Sequence, residues 1–149
     1  MALTVSLHQD ERIIVNGAVI ALGKHNGQIV FLNHARILHQ QHVLSEDQIL
    51  AEMQRQGKPC TDSWFYFLIQ LIYIDPSAAD DYIAKLTEMS ALLSEEFPEK
   101  NKDVNEIFAL TIDGKLYQAL KACRVAFPDC LMVAKNNERA DTNHSNQGE

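Results

Sequence analysis

The chain has 149 residues, with 13 Lys+Arg against 20 Asp+Glu and a formal net charge of −7. A hydrophobic share of 46% and a charged share of 22% are those of a folded globular protein and exclude wholesale disorder. The length suits one domain or two small modules, and the acidity argues against a simple polyanion-coating protein.

The charge is unevenly distributed. Residues 1–60 carry five basic and five acidic side chains, whereas 61–149 carry eight and fifteen. Five of the six histidines, His8, His25, His34, His39 and His42, fall in the neutral part.

In chain order, the first 43 residues read as an antiparallel β-meander or small, partly closed barrel. Leu3, Val5 and Leu7 alternate with Thr4 and Ser6, the period-two pattern of a half-buried strand. Arg12–Val15 and Ala18–Leu22 flank Asn16-Gly17, the strongest short hairpin signal, because a type I′ turn needs positive φ at both central residues. Gly23-Lys24-His25-Asn26-Gly27 supplies a second turn before Gln28–Leu32. A last strand is expected over Ala35–Leu38, with an extension toward Val43.

From Ser45 the period becomes helical. Ser45 with Gln48 three residues on is a capping box, Ile49, Leu50 and Met53 form an apolar stripe, and Gly57 then Pro59 end the helix. A second helix, Thr61–Tyr73, is apolar nearly all round and should be central. Asp75-Pro76 opens a third with Tyr82, Ile83, Leu86, Met89 and Leu93 on its seam. A fourth spans Asn101–Ile112, and a fifth Lys115–Val125 packs through Leu116, Tyr117, Leu120 and Cys123. The polar stretch 135–149 reads as a disordered tail. The expected architecture is thus α+β: a sheet module over 1–43, a helical module over 44–134 and the tail.

Three cysteines, Cys60, Cys123 and Cys130, lack metal spacing and fit a reducing compartment, as small apolar residues or surface thiols. Met1–Val5 lacks the basic-then-apolar pattern of a signal peptide. The most apolar run, Trp64–Ile74, is 11 residues long, too short to span a bilayer. A cytoplasmic location without membrane partners is expected.

The sequence contains no GxGxxG, P-loop, GxSxG, HExxH or paired CxxC, and neither an enzyme nor a cofactor is expected. Asp80-Asp81 and Glu95-Glu96 are adjacent carboxylates about 100° apart on a helix, read as solvated faces. His39 and His42, with His34 nearby, have a spacing that a helix turns into a metal pair, but no fixed fourth ligand accompanies them. The bland reading, surface or interface polar residues, is preferred.

Arg12, Lys24, His25, Arg36 and His39 are candidate RNA contacts on the sheet, since β-sheets hold single strands through basic groups and stacked aromatics. Phe31, the sheet's one aromatic, reads better as core than as a base platform. Trp64, Phe65, Tyr66 and Phe67 exceed what one helix face can bury, so part of this cluster is a candidate partner-binding groove.

These residues also carry a resemblance. Leu3–Leu7, Glu11, Asn16-Gly17-Ala18-Val19-Ile20, Ala35 with Ile37-Leu38, Leu71-Ile72-Tyr73-Ile74-Asp75-Pro76 and Tyr117-Gln118-Ala119-Leu120-Lys121-Ala122-Cys123-Arg124 occur in the order found in the FlbT family of bacterial flagellin regulators. The resemblance covers Leu3 to Phe127. It implies post-transcriptional control of flagellin synthesis through association with the 5′ untranslated region of flagellin mRNA, affecting stability or translation. It further implies a small flagellar partner, FlaF, and no catalytic residues. Departures from the family pattern lower the cationic charge of the sheet. His39 stands where a basic residue is common, Gly23-Lys24-His25-Asn26 replaces an Arg-rich turn, and Gln9-Asp10 replaces Pro-Gly. An alternative reading is a protein-interaction adaptor or chaperone-like factor acting through the acidic helical part, with a homo-oligomer also open.

Overall fold

The computed structural model describes residues 3–132; the tail expected over 135–149 lies outside the described residues. The chain divides into two compact units, Met1–Val43 and Leu44–Glu149.

The first unit contains five strands, β1 (Leu3–Leu7), β2 (Arg12–Val15), β3 (Ala18–Ala21), β4 (Gly27–Phe31) and β5 (Ile37–His39). The Asn-Gly signal is realised as read: Asn16 has φ 49° and Gly17 φ 87°, and β2 and β3 form the hairpin around them. The rest of the pairing is not that of a meander. β1 pairs with β4, and β5 returns to the free side of β2, giving a two-stranded sheet and a three-stranded sheet ordered β3-β2-β5, all antiparallel. There is no closed barrel among the described strands. Alternation determines which face of a strand is buried but not which strand lies beside it. Between β1 and β2, Asp10 at φ 60° donates its N–H to Gly23 O at 2.9 Å, tying this turn to the one that follows β3.

Val5 and Leu7 of β1 and Ile13 of β2 form the unit's buried cluster, with Val15, Ile20, Leu22, Ile29 and Phe31 packed partly buried against it. The register explains this set. Val5 faces Ile29 and Leu3 faces Phe31 across one sheet, and Ile13 faces Ile20 across the other. Thr4, Ser6 and Gln28 take the alternate, exposed positions. The last strand is shorter than expected. It ends at His39, where a 3₁₀ turn over Gln40–His42 begins.

The second unit is helical: α1 (Glu46–Gln56), α2 (Thr61–Ile74), α3 (Ala79–Glu96), α4 (Asn101–Ile112) and α5 (Leu116–Ala126). The capping box at α1 is complete: Gln48 N–H reaches Ser45 Oγ at 3.2 Å, and Ser45 N–H reaches Gln48 Oε1 at 3.0 Å. Gly57 closes that helix in the left-handed region at φ 69°. α4 ends in a Schellman motif, with Gly114 at φ 79° donating to Thr111 O and Lys115 donating to Leu110 O at 2.9 Å. That places α5 immediately after α4 with a rigid turn between them.

Three helix ends repeat one device. Asp75, Phe97 and Phe127 each leave helical geometry (ψ 88°, 74° and 76°) before a proline, and each proline starts a 3₁₀ turn. A residue preceding proline is pushed out of the α region by the ring, so these dipeptides dictate the corners of the bundle. The third helix therefore begins at Ala79 rather than at Pro76: Asp75 caps the 3₁₀ turn, accepting from Ser77 N–H. Lys100 Nζ donates to Ala126 O at the end of α5 and lies 4.9 Å from the centroid of the Phe127 ring.

α2 is the centre of the unit, packing on α3 and α5, while α4 closes the bundle against the same two helices. Phe65, Tyr66, Ile69, Leu86, Leu93, Val104, Ala119, Leu120 and Cys123 are fully or almost fully buried. Gln70, the polar residue within the apolar run, is also buried. Its amide pairs with both backbone groups of Leu44, donating to O at 2.7 Å and accepting from N–H at 2.8 Å. Two residues expected on packed stripes lie outside: Leu50 on α1 is 48% exposed and Tyr117 on α5 is 49% exposed.

Candidate nucleic-acid and partner interfaces

The five candidate RNA contacts do not form one surface. Arg12 pairs with Ala21 at one end of the three-stranded sheet, and Lys24 and His25 lie exposed in the turn beyond β3 at that same end. Arg36 is at the other end, where Asn16 N–H donates to Arg36 O at 2.8 Å and Arg36 N–H to Asn16 Oδ1 at 2.9 Å. Arg12 and Asn16 are four positions apart, so about 13 Å of strand separates the two arginines. His39 faces Ile13 in the ladder and therefore lies on the sheet face opposite Arg12. Arg36 Nε is buried and has no hydrogen-bond partner among the described residues.

The cations that do come together have acidic neighbours. Arg12 follows Asp10 and Glu11, whose carboxylate accepts from His8 N–H at 2.8 Å. Arg12 N–H is itself held by Gln40 Oε1 at 2.8 Å. Cation proximity in the sequence was the signal for this group; the parity of the strands and the turn acids, which dilute it, appear only once the register is known. Phe31 packs against the buried cluster, in keeping with the core reading.

His39 and His42 approach with ring centroids 6.4 Å apart and planes at 88°, but His34 lies in the preceding loop. Among the described residues, no group of three His, Cys, Asp or Glu is placed to hold a metal ion.

In the four-aromatic run, Phe65 and Tyr66 are wholly buried, which corrects their assignment to a partner groove. The reason is helical geometry. Successive residues point about 100° apart, so a central helix surrounded by neighbours buries two of four and leaves the others toward its margin. Arg124 donates to Tyr66 Oη at 3.2 Å, and burial pushes the phenol pKa up. Trp64 and Phe67 are half-buried, stacked edge-on at 5.7 Å between ring centroids. Trp64 Nε1 donates to Met53 Sδ at 3.1 Å.

All three cysteines are buried and free. A hydrogen bond with Cys130, then burial, raises the Cys123 thiol well above its usual range, and burial raises Cys60. Thiols held protonated are poor nucleophiles, so these are packing residues rather than surface thiols. Two acids without a sequence motif stand out in the helical unit: Glu52, which is buried on α1 and receives Arg55 and Gln56, and Asp62, whose carboxyl is raised chiefly by burial. Glu52 is spaced three and four residues from those partners, a readable helical pairing. Nothing local marks its burial. Among the described residues, no helix is long and apolar enough to cross a membrane.

The molecule so defined is a two-unit α+β protein with a mixed-charge sheet end and an acidic helical bundle. It belongs to the FlbT family: the family model described as flagellar protein FlbT matches residues 3–129, and so covers both units. A relative from Chelativorans sp. (strain BNC1) is 29% identical over 141 residues, 91% of this chain and 90% of its own. Relatives from Rhizobium leguminosarum bv. trifolii (30% over 144 residues; 94% and 89%) and Mesorhizobium japonicum (28% over 128; 85% and 80%) are also similar. Each of the three bears the name probable flagellum biosynthesis repressor protein FlbT. No solved structure matches the chain.

Proposed function

We propose that the chain is a post-transcriptional regulator of flagellin synthesis that associates with the 5′ untranslated region of flagellin mRNA, works with the flagellar partner FlaF, and catalyses no reaction. One observation carries this reading: the family match runs through the sheet unit and the helical unit alike, and the relatives named as flagellum biosynthesis repressors align over nearly their whole length.

The geometry supports a specific form of RNA contact. Arg12, Lys24 and His25 gather at one end of the three-stranded sheet and Arg36 stands apart, so few phosphates are neutralised. With about three, the logarithm of affinity should fall with the logarithm of salt at a slope of about −2 for a single strand. A gel-shift titration with flagellin leader RNA at two salt concentrations tests this. Arg12→Ala with Lys24→Ala is expected to weaken binding and flatten the slope. Unchanged affinity in that variant overturns the sheet end as the contact.

A second reading has its own observation. Asp10 and Glu11 share the turn with Arg12 and offset its charge, which favours action through a protein bound to the helical unit without direct RNA contact. An absence of leader binding at low salt, with FlaF retained on the full chain, would select it.

A further inference from the structure

The charge of the helical unit inverts along one helix. Residues 44–132 carry fifteen acidic and eight basic side chains, yet Gly114–Pro128 contains Lys115, Lys121 and Arg124 and no acid. Neither Lys115 nor Lys121 takes part in an ion pair among the described residues, so the surrounding carboxylates leave both charges open. Arg124 is engaged only as a donor to the neutral Tyr66 hydroxyl.

The same helix exposes apolar side chains in register with those cations. Leu116, Ala119, Leu120 and Cys123 face the core. Tyr117, Lys121 and Val125 follow one another at intervals of four along the outer face, Lys121 exposed, Tyr117 49% exposed and Val125 76% exposed. Residues spaced by four form the ridge that a second helix packs beside, here about 12 Å long. Tyr117 is partly fixed by its contact with Tyr73, the ring centroids 6.1 Å apart, so the aromatic is presented with little freedom left to lose. The Schellman turn at Gly114 and the Lys100 contact at Ala126 hold both ends of the helix.

We infer that the outer face of α5 is a docking ridge for an acidic amphipathic helix of a protein partner, with Tyr117 and Val125 meeting its apolar stripe and Lys115, Lys121 and Arg124 its carboxylates. Charge complementarity selects this occupant. A basic helix would meet Lys121 on the ridge and Lys115 and Arg124 at its flanks, while a nucleic acid would face the net charge of −7 of residues 44–132 and gain nothing from Val125. The inference does not depend on whether the sheet unit binds RNA.

The test uses the full chain and a fluorescent synthetic helix of about 16 residues, with leucines at intervals of four flanked by glutamates. Anisotropy should show saturable, salt-sensitive binding. Lys121→Glu should weaken it about five- to tenfold, an attraction being replaced by a repulsion, and should strengthen binding of the matching lysine-flanked peptide. Val125→Asp should abolish binding, with circular dichroism confirming an intact fold at this exposed position. Four results overturn the proposal: equal affinity for the lysine-flanked peptide, indifference to both substitutions, oligo(U) binding lost in Lys121→Glu, or a self-association lost in Val125→Asp, which makes the occupant a second copy.

Discussion

The two units solve the same problem with different resources. The sheet unit buries four apolar side chains, Val5, Leu7, Ile13 and Leu38, and completes its core with side chains that remain partly wet. The helical unit buries two aromatics completely on its central helix and surrounds them with Leu86, Leu93, Val104, Leu120 and others at or near zero exposure. What differs is how much apolar area each residue can withdraw from water. A half-covered sheet wets every second side chain, whereas a helix enclosed by neighbours wets almost none. The sheet unit accordingly leans on specific turns and cross-links, and the helical unit on packing.

The sharpest way to break this contrast is to delete one aromatic from each unit. Phe65→Ala removes a fully buried ring and should cost about 3–5 kcal/mol, enough to threaten the helical unit. Phe31→Ala removes a ring that is only partly buried, so the cost should be roughly half that, in proportion to the area lost. Denaturant melts of both variants check the ordering. Equal losses would mean that the sheet core is as tight as the bundle.

The next test concerns the polar residue that the bundle does bury. Gln70 substitutes for a stretch of backbone pairing, binding both N–H and C=O of Leu44 at the point where the helical unit begins. Gln70→Leu keeps the volume and gains apolar area but strands two buried backbone groups, each costing about 1–3 kcal/mol. Net destabilisation is expected. A neutral or stabilising result would show that Leu44 is rehydrated once released, and that the clamp fixes conformation rather than stability.

The contrast also explains what could be read in advance. Asn16-Gly17, the Ser45–Gln48 box and Gly57 were legible because each is a short-range constraint whose residues state their own backbone geometry. The strand partners were not, since β1 to β4 and β5 to β2 are long-range choices that alternation leaves undetermined. In the four-aromatic run, composition revealed an excess but not its direction, because four consecutive helical positions point to all sides. Only the positions of α3 and α5 around α2 decide that Phe65 and Tyr66 go inward. The cation group divides for the mirror reason. His39 and Arg12 are close in the ladder yet on opposite faces, a parity visible only through the Ile13–His39 pairing.

The smallest expected effect is a pH dependence confined to the helical unit. Burial raises the Asp62 carboxyl above its usual range; Glu96 and Asp129 add to this, and the Ser63 N–H at 2.9 Å opposes it. The folded state therefore holds a proton on Asp62 more tightly than the unfolded chain does. Stability from this linkage is fully present below the unfolded pKa and is lost as pH rises through the folded one. At neutral pH the ionised carboxylate is a net burden, despite its favourable place in the first turn of α2. Asp62→Asn keeps the size and the oxygen that Ser63 N–H needs, and it cannot ionise. It should be more stable than the parent at neutral pH, with the gain shrinking as pH falls to about 4, where a free carboxyl is itself half protonated. Urea midpoints at the two pH values measure this. A variant less stable at neutral pH would show that the attraction between the Asp62 charge and the α2 N-terminus outweighs the cost of burying it.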